Sequence, residues 1–104
     1  MHRVAFKMKL NPGSEEEYRR RHDQIWPELK NLLSSAGIED YSIFLDEETG
    51  SLFAIMKIQD ATKLDSLPSY PIMKKWWSYM KDIMASNPDH SPISIPLKEM
   101  FYLS

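Results

Sequence analysis

An α+β sandwich of ferredoxin-like βαββαβ order, with helices packed on one face of an antiparallel sheet, is the fold this 104-residue sequence predicts. Two observations lead there. Strand-like segments alternate apolar and polar residues with a period of two, whereas helix-like segments repeat apolar residues at threes and fours. Between them the chain is punctuated by Asn-Pro-Gly, Gly and Pro clusters of the kind that break regular structure. The length accommodates one domain, residues 1–104, because two halves would each be too small to bury a stable core without disulfides or metals.

His2 to Leu10 reads as the first strand, with Val4, Phe6, Met8 and Leu10 on one side and Ala5, Lys7 and Lys9 on the other. Asn11-Pro12-Gly13 turns the chain. Ser14 and Glu17 have the spacing of a capping box, and Glu15, Glu16 and Glu17 suit the positive end of a helix dipole. The helix that follows carries Tyr18, His22, Ile25, Leu29, Leu32, Leu33 and Ala36 as its apolar stripe. Pro27 lacks an N–H and crowds the preceding turn, so a kink or restart is expected at Trp26-Pro27, and Gly37 suits the helix end.

Glu39–Asp46 and Ser51–Ile58 are the next strands, joined by the turn-like Glu47-Glu48-Thr49-Gly50. Tyr41, Ile43 and Leu45 share a face of the first. Asp60–Leu67 reads as a short helix or irregular stretch, and a longer helix should run from near Ser69-Tyr70-Pro71 to about Ala85. Asn87–Pro92 is a loop, and Ile93–Leu103 a final strand that Pro96 confines in part to an edge or bulge. Because Ser51–Ile58 is apolar on both sides and helices cover one, Ala5, Phe44, Phe53 and Ile55 would lie on the uncovered sheet face. A sheet-to-sheet homodimer would hide them.

Composition excludes several kinds of chemistry. The absence of cysteine removes disulfides, Cys-ligated metals and thiol nucleophiles. With 13 basic and 15 acidic side chains interspersed, there is no basic stripe for nucleic acid. The apolar runs are too short for a membrane span, and the alternating N-terminus is not a signal-peptide core, so a cytoplasmic location is expected. No His-x-x-x-His or Glu-x-x-His spacing suggests a metal site, the three isolated glycines form no phosphate cradle, and no nucleophile elbow is present.

The remaining signal is one histidine among aromatics. His2 lies at the chain start and His90 in a Pro-flanked loop, where both read as solvated. His22 lies on the apolar stripe of the first helix with Tyr18 one turn earlier, either as a hydrogen-bonded core residue or as a general acid or base beside the core. Trp76-Trp77 project about 100° apart on a helix, as a wide core-facing surface or with an indole at a pocket rim. Aromatic bodies with polar tips, here including Tyr18 and Tyr41, suit an uncharged polyol such as a sugar. Arg19-Arg20-Arg21 and Lys74-Lys75 read as solvated helix faces, and Asp89 and Ser91 as loop residues that either cap a helix or meet a ligand.

These words occur together in one pattern. Tyr18-Arg19-Arg20-Arg21-His22 with Ile25-Trp26-Pro27-Glu28-Leu29, then Trp76-Trp77-x-Tyr79-Met80, Asn87-Pro88-Asp89-x-Ser91-Pro92 and Phe101-Tyr102-Leu103, closely resemble the L-rhamnose mutarotase family. The similarity runs from the first strand to the C-terminus, whereas Asp60–Ile72 carries none of the family's words. The resemblance implies a dimeric α+β barrel that interconverts the α and β anomers of L-rhamnose without cofactor or metal. It implies His22 as proton donor and Tyr18, Tyr41, Trp76 and Trp77 as sugar contacts.

Mutarotation needs only that the ring oxygen gain a proton while the anomeric hydroxyl loses one, which general acid–base groups supply. On this reading His22 protonates the ring oxygen, and a Tyr hydroxyl, a carboxylate such as Asp89, or water takes the anomeric proton. Two alternatives use the same fold. One is another cofactor-free enzyme, an oxygenase or lactone isomerase, and the other is a non-catalytic sugar-binding module. A nucleic-acid module of this topology lacks its basic surface.

Overall fold

The computed structural model describes residues 1–104. In chain order its elements are β1 (His2–Lys9), α1 (Glu15–Asp23), α2 (Pro27–Ser35), β2 (Ile38–Asp46), β3 (Ser51–Ile58), α3 (Thr62–Ser66), a 3-10 turn (Leu67–Ser69), α4 (Pro71–Met80) and β4 (Ile95–Leu97). The strands form one sheet in the order β2-β3-β1-β4, and every neighbouring pair is antiparallel. This is the predicted ferredoxin-like α+β order.

Strand register separates the two faces. Val4, Phe6 and Met8 of β1 stand opposite Met56, Ala54 and Leu52 of β3, and these in turn continue to Ile43 and Leu45 of β2. That row carries the core, where Met8, Leu52, Ala54, Met56 and Ile58 are buried against Leu29 of α2 and Met73, Trp76 and Met80 of α4. The opposite row is the uncovered one. Ala5 and Phe53 are half-buried there, while Phe44 and Ile55 remain 62% and 42% exposed. None of the helices is long and apolar enough to cross a membrane.

The helical segment restarts where Pro27 predicts. Trp26 is extended, Pro27 takes the first position of α2, and Gly37 follows the helix in a left-handed conformation. The capping box does not form: the Ser14 side chain makes no cap bond, and the Glu17 carboxylate accepts from Arg20 and Arg21 instead. Those guanidiniums, Arg20 foremost, pull Glu17 down to about 2.

Two elements are shorter than the sequence suggests. The α4 helix stops at Met80 instead of Ala85, because the next residues give their backbone to the end of β1: Asn11 N–H donates to Ile83 O and Ala85 N–H to Lys9 O. Leu10 accordingly leaves the strand and keeps one bridge, to Met84. The last strand spans only Ile95–Leu97, where Pro96 occupies the sheet edge. Beyond it the chain is held by side chains and not by a ladder, with Arg3 bonded to Glu99 at 2.9 Å and lying over the Tyr102 ring.

One irregularity lets Ile38 and Tyr41 share a face. Ile38 pairs with Ile58 and Ile43 with Ala54, so both belong to the covered row, yet an odd number of positions separates them. A regular strand would send one to each face. A bulge between Glu39 and Ser42 inserts the extra residue, with Asp40 at φ +50°, and it rephases the strand so that Tyr41, Ile43 and Leu45 share the helix side. The Asp40 pair with Lys57, at 3.2 Å and largely exposed, adds little. Asp40→Val should therefore destabilise the protein by about 1–2 kcal/mol in urea unfolding, while Asp40→Gly stays near wild type. Equal losses in both variants would contradict a conformational requirement at this position.

Candidate active site

Tyr18 and His22 are one helical turn apart on α1, so their side chains share a face. Their ring centroids are 4.3 Å apart. His22 Nδ1 lies 2.9 Å from the Tyr18 carbonyl oxygen. A carbonyl only accepts, so Nδ1 carries the proton and the neutral ring presents Nε2 as a lone pair. No protein group bonds Nε2. Trp76 comes from α4 and meets the imidazole edge-on at 5.4 Å.

These residues line a cavity of about 1050 Å³ between the helices and the covered face of the sheet. Tyr18 and His22 enter from α1, Tyr41 from β2 and Trp76 from α4, and apolar side chains such as Phe6, Ile25, Leu64 and Met73 supply much of the wall. The lining also contains charged residues, Glu15, Arg19 and Asp23 on α1 and Asp65 on α3. An apolar pocket with a few polar groups is the usual form of a small-molecule site.

The environment sets the protonation states. Burial lowers the His22 pKa below its ordinary 6.5, outweighing the Tyr18 carbonyl bond and the Asp23 charge, which favour the cation. His22 therefore rests as a neutral base at pH 7 and must gain a proton before it can donate one. Burial acts oppositely on the phenols. Tyr41 is pushed up to about 12, and Tyr18 is raised too, by burial first and by the neighbouring Tyr41 second. Tyr41 lines the cavity while 38% of its surface stays exposed. Both hydroxyls stay protonated and available as donors.

Of the residues singled out by sequence, Tyr18, His22, Tyr41 and Trp76 meet at this cavity, and Trp77 does not line it. Trp77 is half-buried and packs against the core. Asp89 accepts from the Ser91 N–H within its exposed loop and is absent from the cavity wall, so it is no longer a candidate for the anomeric proton. His2 and His90 are exposed, as expected.

The arginine run holds the clearest correction. Arg19 and Arg20 are solvated, but Arg21 is buried, since its side chain reaches the end of α4. Trp26, which does not line the cavity, supports Trp76 in a way the sequence pattern does not indicate. Its ring meets Trp76 edge-on at 5.1 Å and stacks on Tyr79 at 5.4 Å. Only the shared Trp26-Pro27 word hinted that this residue was constrained.

Comparison with known proteins yields consistent matches. The family model described as L-rhamnose mutarotase matches residues 3–103. The L-rhamnose mutarotase of Sinorhizobium fredii is 56% identical over 104 residues, covering 100% of both chains. The crystal structure of L-rhamnose mutarotase from Formosa agariphila is 54% identical, covers 100% of each chain and superposes with a TM-score of 0.94. An antibiotic biosynthesis monooxygenase, 11% identical with a TM-score of 0.62 over 96% of this chain and 99% of its own, shares the fold alone.

Proposed function

The chain belongs to the L-rhamnose mutarotase family, and from that we propose that it interconverts the α and β anomers of L-rhamnose by opening and reclosing the pyranose ring. It is an isomerase acting on a sugar anomer. The observation that carries the proposed chemistry is the 2.9 Å contact of His22 Nδ1 with the Tyr18 carbonyl oxygen, which places the ring proton on Nδ1 and leaves Nε2 free as a base.

Nε2 takes the proton of the anomeric hydroxyl. The electron pair of that O–H bond becomes the second bond of the C1 carbonyl, and the pair of the bond between C1 and the ring oxygen leaves with the ring oxygen. The imidazolium then returns its proton to that oxygen, giving the open-chain hydroxy-aldehyde. Rotation about C1–C2 presents the other carbonyl face, and the same steps run backwards to the other anomer. One imidazole can serve both oxygens because both are bonded to C1. His22 is thus the proton donor to the ring oxygen, in the step after it has acted as base. No redox change or covalent intermediate is involved.

Tyr18 and Tyr41, held protonated, donate hydrogen bonds to sugar oxygens, and Trp76 and the apolar wall face the C–H surfaces and the methyl group. Trp77 contributes from the core side by packing α4, and so Trp76, in place. The protein works as one domain, residues 1–104. A second copy covers the exposed sheet face through Phe44 and Ile55, whose 62% and 42% exposure is otherwise unexplained by packing within the chain.

Magnetisation-exchange NMR on L-rhamnose should show anomer exchange accelerated by the wild-type protein. His22→Ala should lose on the order of 10²–10⁴ of that acceleration while remaining folded. Saturable rhamnose binding without faster exchange would instead select a sugar-binding module. Protonation removes the base, so the rate should fall as pH drops through the folded His22 pKa, placing the acid limb below 6.5. Sedimentation equilibrium tests the second copy: wild type should run as a dimer and Phe44→Glu as a monomer, and a monomeric wild type would sink that assignment.

A further inference from the structure

We infer that Arg21 is a positioning residue for this reaction, setting the separation of α1 from α4 and hence the placement of His22 against Trp76. The inference rests on the mutarotase reading of the cavity.

Arg21 is the buried charged residue of the protein, 8% exposed, and every part of its guanidinium is engaged. Nε donates to Glu17 at 2.6 Å on its own helix. The two terminal nitrogens grip the Asp82 carboxylate at 2.9 and 3.1 Å, and Nη1 also donates to the Tyr79 carbonyl at 2.7 Å. That carbonyl is in the last turn of α4, where the helix leaves acceptors without N–H partners of its own. An arginine from α1 therefore caps the C-terminal end of α4. The guanidinium also lies 4.3 Å from the centre of the Tyr79 ring.

The position of this clamp is what links it to the site. Arg21 and His22 are successive on α1 and diverge by about 100°, so one turn of helix sends the first to α4 and the second to the cavity. The backbones of α1 and α4 make little direct approach, which leaves side chains to hold them. Trp76 contacts His22 at 5.4 Å, Trp26 at 5.1 Å and Tyr79 at 5.8 Å between ring centres. Tyr79 is in turn fixed from above by Arg21. The chain of contacts runs from Asp82 through Arg21 and Tyr79 to Trp76, then back through His22 to the same helix. A lysine has the charge but neither the fork that spans both Asp82 oxygens nor the flat face that covers Tyr79.

Loosening the clamp separates His22 from Trp76 and admits water to the imidazole. The titratable and charged groups that line the cavity with His22 are Tyr18, Glu15, Arg19 and Asp23 on α1, Tyr41 on β2 and Asp65 on α3, of which Asp23 and the Tyr18 carbonyl act on its pKa. None of them is removed by a change at Arg21, so the altered quantity is the desolvation of His22, which is the main cause of its lowered pKa. A purely structural role would lower stability and leave the acid limb of the folded enzyme where it is.

The test is the pH dependence of kcat and KM for rhamnose anomer exchange in wild type, Arg21→Lys, Asp82→Asn and the double variant, with folding followed by circular dichroism. Arg21→Lys should lose on the order of tenfold or more in kcat, as a catalytic group held out of place does. Its acid limb should move up toward 6.5, the ordinary histidine value. Asp82→Asn, at an exposed carboxylate, should shift both quantities the same way by less, and the double variant should be no worse than Arg21→Lys. Folded variants with wild-type kcat, KM and acid limb would overturn the inference. If Arg21→Lys fails to fold, Asp82→Asn decides by the same criteria. An inactive wild type would overturn the mutarotase reading itself, an outcome distinct from an active wild type with unaltered variants.

Discussion

The docking of one nine-residue helix, α1, is the constraint on which the site depends. Within a single turn it must offer Tyr18 and His22 to the cavity and Arg21 to α4, and helical geometry alone assigns those directions. The sheet supplies the floor and α4 supplies the facing indole, but their residues meet the imidazole only if α1 sits at the right height and rotation. Side chains, more than close backbone packing, hold that position. The fold therefore places a cluster of charged hydrogen bonds at the outer end of the helix pair and a neutral imidazole on its inner side. Glu17 and Asp82, both lowered by guanidinium contacts, keep the outer cluster ionised, while burial keeps His22 neutral.

Much of this was legible in the residues. Alternation located the first three strands to within a residue, Pro27 marked the helix restart, and the spacing of Tyr18 and His22 put them on one face. The apolar residues of Ser51–Ile58 correctly separated a covered sheet face from an uncovered one. What pattern could not show was tertiary competition. The Glu17 carboxylate left the capping box because guanidiniums bind it, and α4 stopped early because the end of β1 claims the following backbone. The last strand was overestimated because apolar composition persists beyond the point where Pro96 and side-chain contacts replace a ladder.

The site was legible to a similar depth. Tyr18, His22, Tyr41 and Trp76 meet, with Tyr41 on the face that alternation gives it beside Ile43 and Leu45, whereas the bulge between Glu39 and Ser42, which brings Ile38 onto that face too, is not anticipated by period two. Arg21 looked like one of three solvated arginines because its acceptor, Asp82, is remote in sequence and its burial depends on how two helices pack. Trp77, adjacent to Trp76, stands outside the cavity because a helix cannot aim neighbouring residues the same way. Family resemblance supplied the sugar and the reaction, and the proposal that the imidazole receives a proton before it gives one rests on the Tyr18 carbonyl contact at Nδ1 and the lowered pKa of His22.

The most direct test of that claim is the tautomer of His22, read from its ring 15N shifts at pH 7 with and without L-rhamnose. The account predicts a neutral ring protonated at Nδ1, with the Nε2 resonance alone shifting strongly when the sugar binds. A ring protonated at Nε2, or an imidazolium at that pH, would contradict it, because neither has a lone pair at Nε2 with which to take the anomeric proton.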